Sequence, residues 1–221
     1  MQALYEHYFP SEHDTTLSYE TRVDSMETWW RRTFEKYLTL GLTKSMLPAM
    51  VHRSKLQLRH GICELMTLCR ALEVPVTVVS AGLGDFIDLL LKLGVGFDDA
   101  RIVSNFMEFD DRGKLRGFAE PLIHSLRKSI ALQGQVLSPN AIVLGDRPRD
   151  VEVIKDVSVT SAICIGYLNG CGRVSREEFE GNYDLLVLED GDLDVVVELL
   201  RVVEGSRSIP HFWRFISISP P

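Results

Sequence analysis

AIVLGDRPRDVEVI, residues 141 to 154, carries an apolar run into Gly145-Asp146 and sets a second carboxylate, Asp150, four positions further on. A short apolar run closed by glycine reads as a buried strand. One that ends in acids delivers them to the edge of a sheet. Working outward, PVTVVS (75–80), ARIVSN (100–105), TSAICIG (160–166) and YDLLVL (183–188) share its Val- and Ile-rich character, and helix-like segments lie between several of them, notably GDFIDLLLKLG and PLIHSLRKSIALQ. Strands alternating with helices predict an α/β fold, a parallel sheet covered on both faces, with its ligand site beyond the strands' carboxyl ends.

The rest of the chain divides around that core. Residues 1–70 are predicted to be mostly helical, with aromatic and charged residues at helical spacing, Asp24 as an N-cap before METWWRRTFEKYL and Gly41 as a stop. Residues 71–204 form the expected α/β core. Within it VSNFMEFDDRGKLRGF, about 102–118, reads as a hairpin on the turn signal Asp110-Asp111-Arg112-Gly113. The stretch 205–221, GSRSIPHFWRFISISPP, has bulky apolar residues without a helical period and several prolines, so an irregular, loosely held tail is expected there.

Composition narrows the function. A chain of 221 residues with 45% hydrophobic content can bury one good-sized core. Its net charge of -7, with signs interspersed, leaves no basic stripe to neutralise a polyanion, which argues against a nucleic-acid polymer as partner. No apolar run approaches the ~20 residues of a membrane span. Cys63, Cys69, Cys164 and Cys171 lie in or beside apolar runs without zinc-type spacing, as expected of reduced thiols in a cytoplasmic protein. A monomer is expected.

Several residues suggest chemistry. Asp146 and Asp150 suit Mg²⁺, which takes carboxylate, water and phosphate oxygens; a carboxylate capping the following helix, with the other on its first turn, would look the same. Ser80, Ala81 and Gly82, between a predicted strand and helix, offer backbone N–H groups and a hydroxyl to a phosphate, although an ordinary serine-capped turn has the same pattern. Lys128 would supply a point positive charge, or lie solvated on its helix. His124 falls beside Leu122 and Leu126, which suits hydrogen-bonded packing. Asp190, Asp192 and Asp194 fit a helix cap better than a calcium loop, whose glycine and distal glutamate are absent.

In this order, these residues resemble the pyrimidine 5'-nucleotidase family (cytosolic 5'-nucleotidase III) of the haloacid dehalogenase-like superfamily. The resemblance runs from about Tyr5 to about Leu200. YEHYFPSEHD resembles the family's tyrosine-rich segment and METWW its tryptophan helix. VSAGLGDFI is similar to the serine motif, VSNFMEFDDRGKLRGF to the hairpin, LIHSLRK to the lysine motif, AIVLGDRPRD to the acidic motif, and IGYLN and YDLLVLED to the closing strands. The resemblance implies a Rossmann-like parallel sheet with a helical cap and Mg²⁺-dependent hydrolysis of nucleoside 5'-monophosphates, pyrimidines favoured, to nucleoside and phosphate. It implies that Ser80, with Ala81 and Gly82, and Lys128 hold phosphate, that Asp146 binds metal, and that Asp150 supports the site. Glu12 would accept hydrogen bonds from the base's exocyclic amine, and Trp30 would stack on its ring. A surface carboxylate and a core aromatic are the plainer readings of those two.

Three departures accompany the resemblance. The family's D-x-D-x-T strand, the source of its nucleophile and of its acid and base, has no counterpart before Tyr5. In the superfamily that strand is the sheet's centre, so PVTVVS and AIVLG are expected to have unpaired edges or to pair with one another. Arg147 and Arg149 stand where the acidic motif has serine and glycine, and Arg127 where the lysine motif has asparagine. The expectation is a family member truncated at its N-terminus and inactive as given. The alternative is a non-catalytic nucleotide-binding or interaction protein derived from the family.

Overall fold

The computed structural model describes residues 2–54, 56–135, 138–155, 157–169, 176–189 and 191–205, and the backbone of 213–218. The chain begins with α1 (Gln2–His13) and α2 (Tyr19–Thr39), which pack together through Tyr8, Val23 and Met26. Ser18, not Asp24, caps α2: its Oγ accepts the N–H of Thr21 at 3.2 Å, while Asp24 lies exposed within the helix. The helix extends upstream because Ser18 supplies the acceptor at an orphan N–H and Val23 continues the buried stripe of Met26 and Thr33. Just past its end Gly41 adopts φ +64°, a left-handed conformation that glycine takes without a Cβ penalty.

After α3 (Leu47–Arg53) and α4 (Ile62–Ala71) the sheet begins with β1 (Val76–Leu83), α5 (Gly84–Val95) and β2 (Arg101–Asn105). β3 (Met107–Phe109) and β4 (Leu115–Phe118) pair antiparallel across the Asp110–Gly113 turn. The sheet then continues with β5 (Asn140–Gly145), β6 (Ser161–Leu168), α6 (Arg176–Glu180), β7 (Leu185–Leu188), α7 (Asp194–Gly205) and β8 (Trp213–Ile218). Among the described residues the main sheet has six strands in the order β2-β1-β8-β5-β6-β7, and its pairings are all parallel.

The position of β8 corrects two expectations. The segment expected to be irregular contains a strand, and that strand lies at the centre of the sheet, with Val76 paired to Phe215 on one side and Ile142 to Phe215 on the other. β1 and β5 therefore neither pair with one another nor present bare edges. Each uses β8 as its ladder partner, which satisfies backbone groups that would be costly to bury alone. The rest of the tail, 206–212 and 219–221, lies outside the described residues, as do Cys171 and Asp190.

Helices and short turns cover the two faces. On one, Leu65, Met66 and Cys69 of α4, Ile87 and Leu91 of α5, and Val196, Val197 and Leu200 of α7 pack on Val76, Val78, Ile142, Leu144 and Ile165. On the other, Ile123, Ala131, Leu132 and Val153 cover Val79, Ala141 and Val143. Cys63, Cys69 and Cys164 are free thiols. No helix among the described residues is long and apolar enough to cross a membrane.

The second expected crossover helix is not an α-helix. Ser125–Leu132 is a 3-10 segment broken at Arg127, where φ is -132° and ψ 31°. One of its carbonyls and the backbone just upstream are claimed from outside. Tyr19 Oη donates to the Leu126 carbonyl at 2.5 Å, and just upstream Asn105 takes both the carbonyl and the N–H of Ile123 at 2.8 and 2.9 Å. Backbone groups committed to such partners cannot close i to i-4 bonds, so tertiary contacts override the helical pattern.

Candidate functional site

The buried run of β5 ends at Gly145 and places Asp146 just beyond the carboxyl edge of the sheet. Asp150 folds the next residues back on themselves. Its Oδ2 accepts the N–H groups of Asp146 and Arg147, both at 3.1 Å, and its Oδ1 accepts Lys128 Nζ at 2.7 Å. Lys128 and Asp150 are 5% and 2% exposed. Lys128 is thus neither solvated nor on an α-helix, and the 3-10 segment holds it in a buried ion pair against the acidic loop.

Asp146 is left over. Its Oδ1 is buried and has no hydrogen-bond partner among the described residues. Burial, and then the neighbouring Asp150 carboxylate, push its pKa up to about 6, with Lys128 and Arg147 pulling the other way. A buried carboxylate oxygen without a donor is unfavourable as it stands, and a cation would relieve it. The residues present therefore fit a divalent ion with oxygen ligands, for which Asp146 is the ligand available and Asp150 its support. Of the two cations in the loop, Arg149 is turned to Glu152, at 3.0 and 3.1 Å, and lies 5.4 Å over the Tyr19 ring. Arg147 is exposed.

Ser80, Ala81 and Gly82 lie within the last half of β1, not in a turn after it, and α5 starts at Gly84 without a side-chain cap. Ser80 is 2% exposed and its Oγ accepts the Gly82 N–H at 3.0 Å. These residues share the carboxyl edge with Asp146, with β8 between their strands. They are joined to the lysine segment by Asn105, a fully buried residue that sequence reasoning missed. Its Nδ2 donates to the carbonyls of Ala81, Gly82 and Ile123 at 2.8, 3.2 and 2.8 Å. The asparagine that ends ARIVSN was the available signal, since a buried amide must find several partners at once.

The helical pair approaches from above the same edge. α2 is tied to the lysine segment by the Tyr19–Leu126 bond and by an Arg127–Glu27 ion pair, and to the loop before it by Arg31–Glu120 at 3.0 Å. Trp30 falls on the stripe of Val23, Met26 and Thr33 and packs beside Trp29 and Phe34, at 5.6 and 5.5 Å between centroids. Glu12 is elsewhere. Its carbonyl is held by Arg22, about 12 Å along α2 from Trp30 at 1.5 Å per residue, so these two expected base contacts are not brought together.

His124 precedes the lysine segment fully buried, and neither ring nitrogen has a partner among the described residues. This departs from the hydrogen-bonded packing expected of it. Burial, and secondarily Arg127, lower its pKa to about 4. The unfolded chain therefore binds the extra proton first, and His124 makes the protein lose stability as pH falls from about 6.5 towards 4. Asp146, with its pKa raised, acts in the opposite sense below about 6. Thermal melts of His124→Leu and the parent from pH 7.5 to 4.5 should separate them: the variant is expected to lose less stability on acidification, and parallel curves would refute the assignment.

Comparison with known proteins follows the same lines. The family model for pyrimidine 5'-nucleotidase (UMPH-1) matches residues 1–204. The chain is 34% identical over 212 residues to the 7-methylguanosine phosphate-specific 5'-nucleotidase of Gallus gallus, covering 92% of this chain and 73% of that one. It is 31% identical over 216 residues to the A form of that enzyme from Xenopus laevis, with 94% and 74% covered. Among solved structures, cytosolic 5'-nucleotidase IIIB bound to cytidine superimposes with a TM-score of 0.71 at 24% identity, over 93% of this chain and 72% of that one. At this identity the likeness is one of fold.

Proposed function

The chain belongs to the pyrimidine 5'-nucleotidase family, a family of phosphoric monoester hydrolases acting on nucleoside monophosphates, and from that premise we propose that its carboxyl edge holds a nucleoside 5'-monophosphate with Mg²⁺ at Asp146. The observation that carries this reading is the buried Oδ1 of Asp146, without a partner among the described residues, beside the buried Lys128–Asp150 pair. A bound Mg²⁺ supplies polarisation of phosphoryl oxygens and neutralises charge that develops on them. The side chains do the rest. Lys128, fixed by Asp150, brings a localised charge to the phosphate; Ser80 accepts from Gly82 and so keeps its own O–H free to donate. α1 and α2 act as the cap, with Trp30 as the face on which the base stacks, while Glu12, some distance along the helix pair, takes no part in holding that base. Cytidine and 7-methylguanosine monophosphates are both proposed ligands, with the pyrimidine favoured.

The attack on phosphorus is assigned to no side chain of this chain. A second reading, binding without turnover, is favoured by Arg147, whose charge acts on Asp146 next to it in the chain. Two measurements separate the readings. Calorimetry with cytidine, uridine and 7-methylguanosine monophosphates is expected to show binding that strengthens with Mg²⁺, and Asp146→Asn is expected to abolish that strengthening. Phosphate release by the same protein would establish hydrolysis, and saturable binding with no release would leave the second reading. A folded protein that binds none of the three ligands would overturn both.

A further inference from the structure

Tyr183 lies between Phe179 and the acidic loop, and the mechanism above makes no use of it. It is 7% exposed, and its hydroxyl donates to the Arg147 carbonyl at 2.5 Å, one residue past Asp146. The two strands beneath are shaped to admit it. Gly145 of β5 and Gly166 of β6 stand opposite one another in the ladder. A Cβ on Gly145 would come within 2.2 Å of Tyr183 Oη and 2.6 Å of Asp150 Cβ, and one on Gly166 within 2.9 Å of both the Tyr183 and Phe179 rings. Paired glycines thus form a shelf with no side-chain atoms where the tyrosine lies.

The ring is also held rigidly in place. Phe179 stacks on it at 5.4 Å between centroids, and its own N–H donates to the Phe179 carbonyl at 3.0 Å. The adjacent Asp184 is fastened to Cys164 of β6 through both its backbone N–H, at 2.8 Å, and its carboxylate, at 2.7 Å. Burial holds the phenol's pKa far above its usual value, so the hydroxyl stays a donor.

We propose that Tyr183 is the positioning residue of the metal loop, fixing the Arg147 carbonyl from outside while Asp150 fixes the amides from inside, so that Asp146 is aimed at the cation. The inference rests on the proposed function in taking Asp146 as a Mg²⁺ ligand. Outer partners of this kind are typically worth about ten- to a hundredfold in metal affinity.

The test is Mg²⁺ titration calorimetry on the full chain, beside melts recorded without metal. Tyr183→Phe removes one oxygen and keeps the stack on Phe179. It is expected to weaken Mg²⁺ binding about tenfold with the metal-free melting temperature little changed, whereas unchanged affinity would overturn the inference and leave the metal reading standing. A parent protein that binds no Mg²⁺ would defeat both. Should Tyr183→Phe fail to fold, 3-fluorotyrosine placed at position 183 of the otherwise unaltered chain provides a second readout. Its ¹⁹F resonance is expected to move on adding Mg²⁺ and not on adding NaCl of equal ionic strength, and a resonance indifferent to Mg²⁺ would overturn the proposal.

Discussion

Replacing Lys128 with Met is expected to cost about 3 to 5 kcal/mol, because it leaves the Asp150 carboxylate buried without its counter-charge. For a chain of this length the melting temperature should fall by roughly 6 to 20 °C. The loss should be partly recovered in Lys128→Met combined with Asp150→Asn. The asparagine oxygen can still accept the N–H groups of Asp146 and Arg147, and no unpaired charge remains at position 150. Denaturant unfolding of the two variants measures this directly. A single variant as stable as the parent would mean that the pair is screened by water and carries no structural load.

The second large effect is expected at β8. Proline at position 215 removes an N–H from the middle of a central strand whose residue is paired on both sides, to Val76 and to Ile142. The loss should be on the order of 1 to 3 kcal/mol, since a buried ladder acceptor is left unsatisfied. Its signature is more specific than its size. Amides of Val76–Val79 in β1 and of Asn140–Leu144 in β5 should lose hydrogen-exchange protection together, although these strands never touch one another in the ladder. Unaltered protection in Phe215→Pro would exclude β8 from the sheet's centre.

Legibility in the sequence followed locality. Save that β1 runs three residues further, to Leu83, the runs PVTVVS, AIVLG, TSAICIG and YDLLVL announce strands β1, β5, β6 and β7 within a residue or two because their Val and Ile content and glycine or acidic ends are local signals. The acid at the end of β5 was legible for the same reason. The lysine segment was not, since its helical pattern is undone by Asn105 and Tyr19, partners remote in sequence. β8 was misread because Pro210 and Pro220 bracket it; only the slot between β1 and β5 makes it a strand. Tyr183 and Asn105 gave no motif. Their roles come from an oxygen and an amide placed by packing, and the glycines that admit Tyr183 are meaningful only once they face one another.

The central place of β8 also sets the order in which the molecule can assemble during synthesis. The crossovers β1-α5-β2 and β5-β6-β7 join neighbours in the chain, but the ladder uniting them waits for residues past 212 to leave the ribosome. Until then two half-sheets carry open ladders, the condition under which a nascent chain pairs with the wrong strand. Late closure therefore leaves the inner edges of β1 and β5 exposed until the last strand is in place.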